Sequence, residues 1–392
     1  MSPITAIKKA GPINFGSTEG PWNHTKRLEQ ILGTRLNVVG LVDRDPARAD
    51  RALAIKRNDD SVKAGYEKTE VFPSLAEAVV ALKDKTGSEQ LHLTVDGFHS
   101  TTRGSTTPNR NSDIVLAEAF PQAAHFIEKP ISALESEDFQ QLDEVAAALK
   151  GKITSVGYML RYLKAVQEMK RIITENNLTI MATMATYLMA YAYAGEDTKT
   201  IGYWNKSLEM GPVVGQGTHI CDLARYLAPR PLLDTIHVQT VEAADPPGHL
   251  SQIKFDVDSL VPPEQRTPRV TNAIWRWENG AVGQFLHGIT LHEGDYDCEL
   301  VVLADGWKLR LVDPYGVAPK LYVRQPGSKA EVQTTFTDDD CYHSEFATLI
   351  DVIDGKADRS VILSPYEDAV ETYKFTWAIR LAGEADAKKR LG

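Results

Sequence analysis

Ala123-Ala124-His125-Phe126-Ile127-Glu128-Lys129-Pro130 is the stretch on which the fold turns. Its first five residues form a short, mostly apolar run, and Glu128-Lys129-Pro130 ends it. A buried strand that finishes in Lys-Pro sets a cation at the carboxyl edge of a sheet, which is where open α/β folds bind ligands. Upstream, Val38-Val39-Gly40-Leu41-Val42 forms a second such run and closes on Asp43. An acid at that position is where a dinucleotide's ribose would be held. Together the two runs point to an enzyme that uses a nicotinamide cofactor with a lysine beside it.

The surrounding chain supports this. Strands are expected over 13–16, 38–42, 91–95 and 124–127, with helices over 25–32, 46–57, 74–82 and 113–120 between them. Ser74 and Glu77 make a capping box ahead of an apolar run. Alternation of this kind predicts a parallel, doubly wound sheet. A strong amphipathic helix follows over 132–149, with Phe139, Leu142, Val145, Ala146 and Leu149 on one face, and then a strand over 153–158. Beyond a helix around Val166 to Ile173 the pattern changes. Strands are expected over 179–193, 233–241, 252–257, 270–277, 281–290, 298–304, 307–312 and 320–324, interrupted by one helix over 218–227. Asn279-Gly280 is a hairpin turn signal. Two helices close the chain, over 343–353 and 366–382. The expected architecture is α/β: an N-terminal Rossmann-type doubly wound parallel sheet over 1–131, then an α+β domain over 132–392 with a large, mostly antiparallel open sheet.

The chain has 392 residues, 43% hydrophobic and 24% charged, enough for two domains with ordinary cores. A net charge of −10 argues against a nucleic-acid surface. No run of eighteen apolar residues is present, so no membrane partner is expected. The N-terminus lacks the apolar core of a signal peptide. The three cysteines, Cys221, Cys298 and Cys341, are odd in number and widely spaced, suggesting neither disulfides nor a metal site. A reducing, cytoplasmic setting is expected. His287 and His292 are too isolated to form a metal pair.

The turn Thr18-Glu19-Gly20-Pro21-Trp22-Asn23 is the candidate for the pyrophosphate. Against G-x-G-x-x-G it keeps only the middle glycine, Gly20, the one that lets backbone approach the phosphates. Asp43 follows at the spacing of about 20 residues that a ribose acceptor needs. Its carboxylate favours NAD, while Arg44 beside it leaves NADP as the alternative.

Several of these segments, taken in order, resemble the Gfo/Idh/MocA oxidoreductases, the glucose–fructose oxidoreductase and inositol dehydrogenase family. They are His125 to Ser132, Asp43-Arg44-Asp45-Pro46, Val156 to Tyr162, the glycine-rich run Gly211 to Leu223 that contains His219, and Ser364 to Ala369. The resemblance implies that Lys129 stands beside the nicotinamide and stabilises charge on the substrate oxygen. It also implies that His219 is the general base. The cofactor contacts it implies are Gly20, Pro21, Trp22, Asp43, Arg44, His99, Glu128 and Lys129. It further implies that Tyr158, Arg161, Trp204, Lys206 and His219, with Tyr203 and Asn205 in the same segment, lie in segments flanking the substrate pocket, and Asp222 is one helical turn from His219. A cis Lys129–Pro130 bond and a homodimer or homotetramer are further implications.

Two departures from the family pattern stand out. Gly215 occupies a position that often carries aspartate, one turn before His219, with Glu209, Asp222 and Glu293 as possible substitutes. Val95-Asp96-Gly97-Phe98-His99 replaces the usual Thr-Pro turn. The expected activity is hydride transfer between NAD(P) and a secondary alcohol or ketone of a sugar, polyol or glycoside-like small molecule. Two alternatives remain. One is a bound NAD used transiently for elimination, epimerisation or glycoside cleavage. The other is a non-catalytic dinucleotide-binding sensor or corepressor.

Overall fold

The computed structural model describes residues 4–9, 23–85, 90–133, 139–191, 201–208, 210–252, 260–292 and 296–391. The first sheet begins with β1 (Ile4–Lys9), β2 (Leu36–Val42) and β3 (Glu70–Phe72) and continues through β4 (Leu93–Asp96), β5 (Ala124–Ile127) and β6 (Thr154–Val156). Its order is β3-β2-β1-β4-β5-β6, with every pairing parallel. That is the doubly wound dinucleotide-binding order.

Helices α1 (His24–Leu32), α2 (Pro46–Arg57), α3 (Leu75–Leu82), α4 (Ser112–Ala119) and α5 (Phe139–Leu149) connect the strands. Local chemistry sets their starts. Asn23 caps α1 by accepting from Lys26 N–H, and Asp45 caps α2 ahead of Pro46. Ser74 caps α3, its hydroxyl accepting from Glu77 N–H at 3.3 Å and donating to the Glu77 carboxylate at 2.9 Å. One core holds Leu28, Leu32, Val38, Leu41 and Phe126 together with Phe346 and Leu349 of α9 (Cys341–Ile353). A second holds Val42, Phe72, Leu82, Leu116 and Phe120. Each large side chain so buried contributes about 1.5–3 kcal/mol.

Several boundaries differ from expectation. The first strand is Ile4–Lys9, built on β-branched Ile4, Thr5 and Ile7, with its pattern masked in sequence by the two lysines that end it. Residues 13–16 lie outside the described residues. The helix expected from 132 is described from Phe139; Ser132 is in a loop, its hydroxyl donating to the Gly104 carbonyl at 3.2 Å. The strand expected over 153–158 ends at Val156, because Met159–Tyr162 coils into a 3-10 turn.

In the second sheet, β7 (Ile180–Ala190) is paired with β10 (Val282–Leu291) on one side and β11 (Tyr296–Ala304) on the other. The remaining strands are β8 (Pro231–Val241), β9 (Val270–Trp277), β12 (Trp307–Val312), β13 (Lys320–Arg324) and the unanticipated β14 (Val332–Thr335). The order is β14-β13-β12-β11-β7-β10-β9-β8, with β7–β10 parallel and the other pairs antiparallel. Of the strand expected over 252–257, only Gln252 is described. Helices α6 (Lys164–Glu175), α7 (Ile201–Trp204) and α8 (Thr218–Leu227) belong to this half, and α10 (Tyr366–Leu391) ends the chain.

The compact units are Met1–Tyr162 with Asp340–Val370, and Leu163–Asp339 with Glu371–Gly392. The division therefore falls elsewhere than at 131/132. β6 pairs with β5, and α9 fills the first core, so both segments fold with the first sheet.

A glycine is required where α8 begins. A β-carbon on Gly217 would stand 2.7 Å from Cζ of Phe285 and 3.5 Å from Cδ2 of His287, both fully buried on the sheet. One on Gly215 would meet nothing within 4 Å. Gly217→Ala should lower stability by about 1–3 kcal/mol through overpacking, while Gly215→Ala should be close to neutral. Urea denaturation of both variants checks this; equal midpoints would refute the packing account.

Candidate active site

In the first unit the strand ends lie side by side. β5 is flanked by β4 and β6, and the ladder runs past the strands: Glu128 N–H donates to the Asp96 carbonyl at 3.0 Å and Gly157 N–H to the Ile127 carbonyl at 3.0 Å. Glu128 and Lys129 therefore leave the sheet at its carboxyl edge, and the Lys129–Pro130 bond is cis. The Glu128 carboxylate accepts from Lys129 N–H at 3.1 Å and pairs with Nε2 of His24, the first residue of α1. Burial alone would push the Glu128 carboxyl up. His24, Lys129 and Arg103 outweigh it and hold the group below its ordinary value. His24 is buried against Phe126, Tyr342 and Phe346. Its position directly after the Asn23 cap is the one sequence signal that marks it.

The loop after β4 is equally constrained. Asp96 accepts from Phe98 N–H at 3.2 Å and Ser112 Oγ at 2.7 Å. Arg103 is buried and donates to the carbonyls of both Phe98 and Pro130. Asp113 accepts from Gly104 N–H at 2.9 Å and from the Tyr366 hydroxyl at 3.0 Å. Burial and the nearby Asp96 push its carboxyl up to about 7, against those hydrogen bonds. His99 is exposed on this loop, its Nδ1 3.0 Å from the Thr101 hydroxyl.

At the end of β2, Asp43 is buried and Arg44 exposed. The Asp43 carboxylate accepts from Asp45 N–H at 2.9 Å and is paired bidentately with Arg48, through Nε at 3.1 Å and Nη2 at 2.5 Å. A carboxylate offers about four acceptor positions, so these three bonds orient it and leave one position for a further donor. A buried acid ending β2, the helix start at Asn23–His24 and the strand order together fit a dinucleotide. Gly20, Pro21 and Trp22 lie outside the described residues.

In the second unit, Val213–Gly217 forms a π-helical turn that runs into α8, a local form common at functional sites. His219 sits on the first turn of α8, buried, with the Tyr315 ring 6.0 Å away edge-on. Tyr315 in turn packs on Tyr187 and Tyr296, and Tyr187 stacks on His287 at 5.3 Å. Both ring nitrogens of the fully buried His287 lack a hydrogen-bond partner, and burial pushes its pKa down to about 3. Neither Tyr315, on the turn between β12 and β13, nor His287, on β10, carries a local signal of this pairing, because only the tertiary fold brings them together. Tyr203 donates to Gln216 at 2.9 Å. Asp222 accepts from the Thr372 hydroxyl at 2.7 Å, which ties α8 to α10. Glu209 and Glu293 lie outside the described residues.

Three expected substrate residues are structural instead. Trp204 is fully buried, with the Arg269 guanidinium 5.1 Å over its ring, so neither face is open to a sugar. Arg161 is buried, donates to the Leu363 carbonyl and pairs with Asp368 at 2.6 Å. Tyr158 lies beneath that guanidinium, 1% exposed. Buried arginine needs such partners, and the segment 363–368 supplies them. Asn205 bonds Gln265 at 3.1 Å. Lys206 is half-buried and lines a small cavity with Arg380, Glu384 and Glu242. Among the described residues, no group of three or more His, Cys, Asp or Glu could hold a metal, and no helix is long and apolar enough to cross a membrane.

Residues 161–307 match the family model described as "Putative oxidoreductase C terminal domain". An uncharacterized protein of Schizosaccharomyces pombe, UNK4.17, is 42% identical over 95% of this chain and 90% of its own length. Among solved structures, levoglucosan dehydrogenase in complex with NADH and levoglucosan superposes with a TM-score of 0.69 at 14% identity, covering 99% of this chain and 98% of that one. UDP-N-acetylglucosamine 3-dehydrogenase from Acidithiobacillus ferrooxidans gives 0.66 at 13% identity, covering 98% and 99%.

Asp113 makes stability depend on pH. An unfolded aspartate ionises near pH 4, so between about pH 4 and pH 7 the folded chain keeps a proton that the unfolded chain has released. This group's contribution to stability therefore falls as pH rises through that window. Asp113→Asn should flatten that part of the stability profile measured by guanidinium denaturation from pH 4.5 to 8. Identical slopes in the two proteins would refute the assignment.

Proposed function

The chain belongs to the Gfo/Idh/MocA oxidoreductases, and on that premise we propose that it is an NAD(P)-dependent dehydrogenase or reductase acting on a secondary alcohol or ketone of a sugar, polyol or glycoside-like small molecule. The observation that carries the reading is Lys129, presented at the carboxyl end of β5 in a 3-2-1-4-5-6 parallel sheet. When bound, the nicotinamide supplies the carbon that accepts or returns hydride. Lys129 donates a hydrogen bond to the substrate oxygen and stabilises charge that develops there. Glu128, held below its ordinary pKa, remains a carboxylate and orients the backbone of that lysine. His219 takes the hydroxyl proton, a task suited to an imidazole nitrogen, which accepts a proton when neutral. The substrate class is supported by the sugar dehydrogenases that share the fold. The paired presence of Lys129 and His219 favours a catalyst over a non-catalytic dinucleotide-binding sensor, which needs neither group.

NAD is the preferred cofactor, because a buried Asp43 accepts a ribose hydroxyl and repels a 2′-phosphate. The exposed face of the second sheet carries Met184, Ile274 and Val282 in neighbouring strands, 45%, 51% and 48% exposed. A homo-oligomer built on this face covers them.

Purified protein with NAD or NADP and a panel including levoglucosan, UDP-N-acetylglucosamine and inositols should change absorbance at 340 nm with one member. Lys129→Ala and His219→Ala should each lower kcat about 10²–10⁴-fold. Full turnover by Lys129→Ala would refute the assignment, and product formed without a net absorbance change would indicate transient oxidation. Asp43→Asn should narrow the preference for NADH over NADPH in fluorescence titrations; equal wild-type affinities would overturn the cofactor reading. Met184→Asp with Ile274→Asp should shift gel-filtration mass to that of a monomer, whereas a monomeric wild type would remove the oligomer.

A further inference from the structure

We propose that Arg103 is a positioning residue whose single guanidinium ties the loop after β4 to the loop after β5 and so fixes where Lys129 stands. The proposal rests on the reading of Lys129 above and extends it to a residue that meets neither cofactor nor substrate.

The geometry is specific. Nε and Nη2 of Arg103 both donate to the Pro130 carbonyl, at 3.1 and 3.0 Å, and Nη1 donates to the Phe98 carbonyl. One acceptor is the residue after Lys129 and the other the residue before His99. A planar, forked cation can hold two carbonyls in fixed directions, which an ammonium cannot. The guanidinium is 2% exposed, and Asp96 at 3.6 Å balances its charge. Asp96 also holds Phe98 N–H and Ser112 Oγ, so the cation, its counter-charge and the loop form one network.

The next residue tightens the lock. Gly104 has φ of +70°, and a β-carbon there would stand 2.4 Å from the Ile131 carbonyl oxygen and from Cβ of Ser132. Ser132 Oγ donates to the Gly104 carbonyl at 3.2 Å. Residues 103–104 and 130–132 therefore interlock through backbone contact as well as through the guanidinium. Arg103 also contributes to keeping Glu128 ionised. If either loop shifts, the other must follow.

The test uses full-length Arg103→Met and Arg103→Lys, with Arg35→Met, which breaks the Arg35–Asp354 pair of the same unit, as a control for stability alone. NADH affinity is measured by fluorescence titration, and amide hydrogen exchange is followed in peptides covering 97–101 and 129–133. Arg103→Met should speed exchange in both peptides at least fivefold while β7 to β11 stay unchanged, and should weaken NADH binding about tenfold. Arg103→Lys should fall between it and wild type. Arg35→Met should lower Tm without either effect. Exchange that rises in one peptide only, or throughout the chain, overturns the proposal, as does NADH affinity within twofold of wild type when the wild type binds. Should Arg103→Met fail to fold, Arg103→Lys decides by the same criteria. The exchange readout needs no cofactor or turnover. A fully active Lys129→Ala would thus remove the catalytic reading and leave the coupling of the loops standing or falling on its own.

Discussion

Parallel pairing of β4, β5 and β6 is the constraint from which the first unit's chemistry follows. All residues of these strands are buried, so their backbone groups are satisfied through the ladder and their polar side chains need partners inside the fold, as Thr94 has in Nδ1 of His125 at 2.8 Å. Parallel strands also end at the same edge. Asp96, at the end of β4, and Glu128 and Gly157, just past β5 and β6, lie together there. Everything that distinguishes this site stands on that edge: the Glu128–His24 pair, the Lys129 step and the Arg103 clamp.

Electrostatics then sorts the buried acids by their partners. Glu128 has a histidine, a lysine and an arginine near it and stays ionised; Asp113 has Asp96 for a neighbour and is pushed toward neutrality. Both are carboxylates at the rim of one sheet. The difference comes from which charges the loops bring beside them, the general rule by which desolvation and neighbouring charge move a pKa. The second unit handles burial differently. Its histidines lie among tyrosines, and His287 is kept neutral by desolvation alone.

Legibility in the sequence followed the range of the interactions. Helices whose starts are set within four residues were readable: Pro46–Arg57 was anticipated at both ends, and Ser74 marked the start of α3. β1 escaped because Lys8 and Lys9 break its apolar pattern, although pairing with β2 and β4 holds it in the sheet. The site divides in the same way. The positions of Lys129 and Asp43 at the carboxyl edge were legible because each follows a recognisable strand. Trp204 and Arg161 were misread because an aromatic or a cation in a flanking segment looks the same whether it faces a ligand or the core. Only the positions of Arg269, Leu363 and Asp368 separate the two outcomes.

By itself, the sequence determined the alternation of strands and helices, the change to a mostly antiparallel second sheet and the lysine and acid at two strand ends. Those are properties of periodicity and of residues adjacent in the chain. Tertiary structure decided which distant residues share a hydrogen bond: His24 with Glu128, Arg103 with Pro130, Asp113 with Tyr366. It also moved the boundary between units, by returning 340–370 to the first sheet. Hydrogen bonds and charges act over a few ångströms of space regardless of separation along the chain. No local pattern can announce them until the fold has brought the partners together.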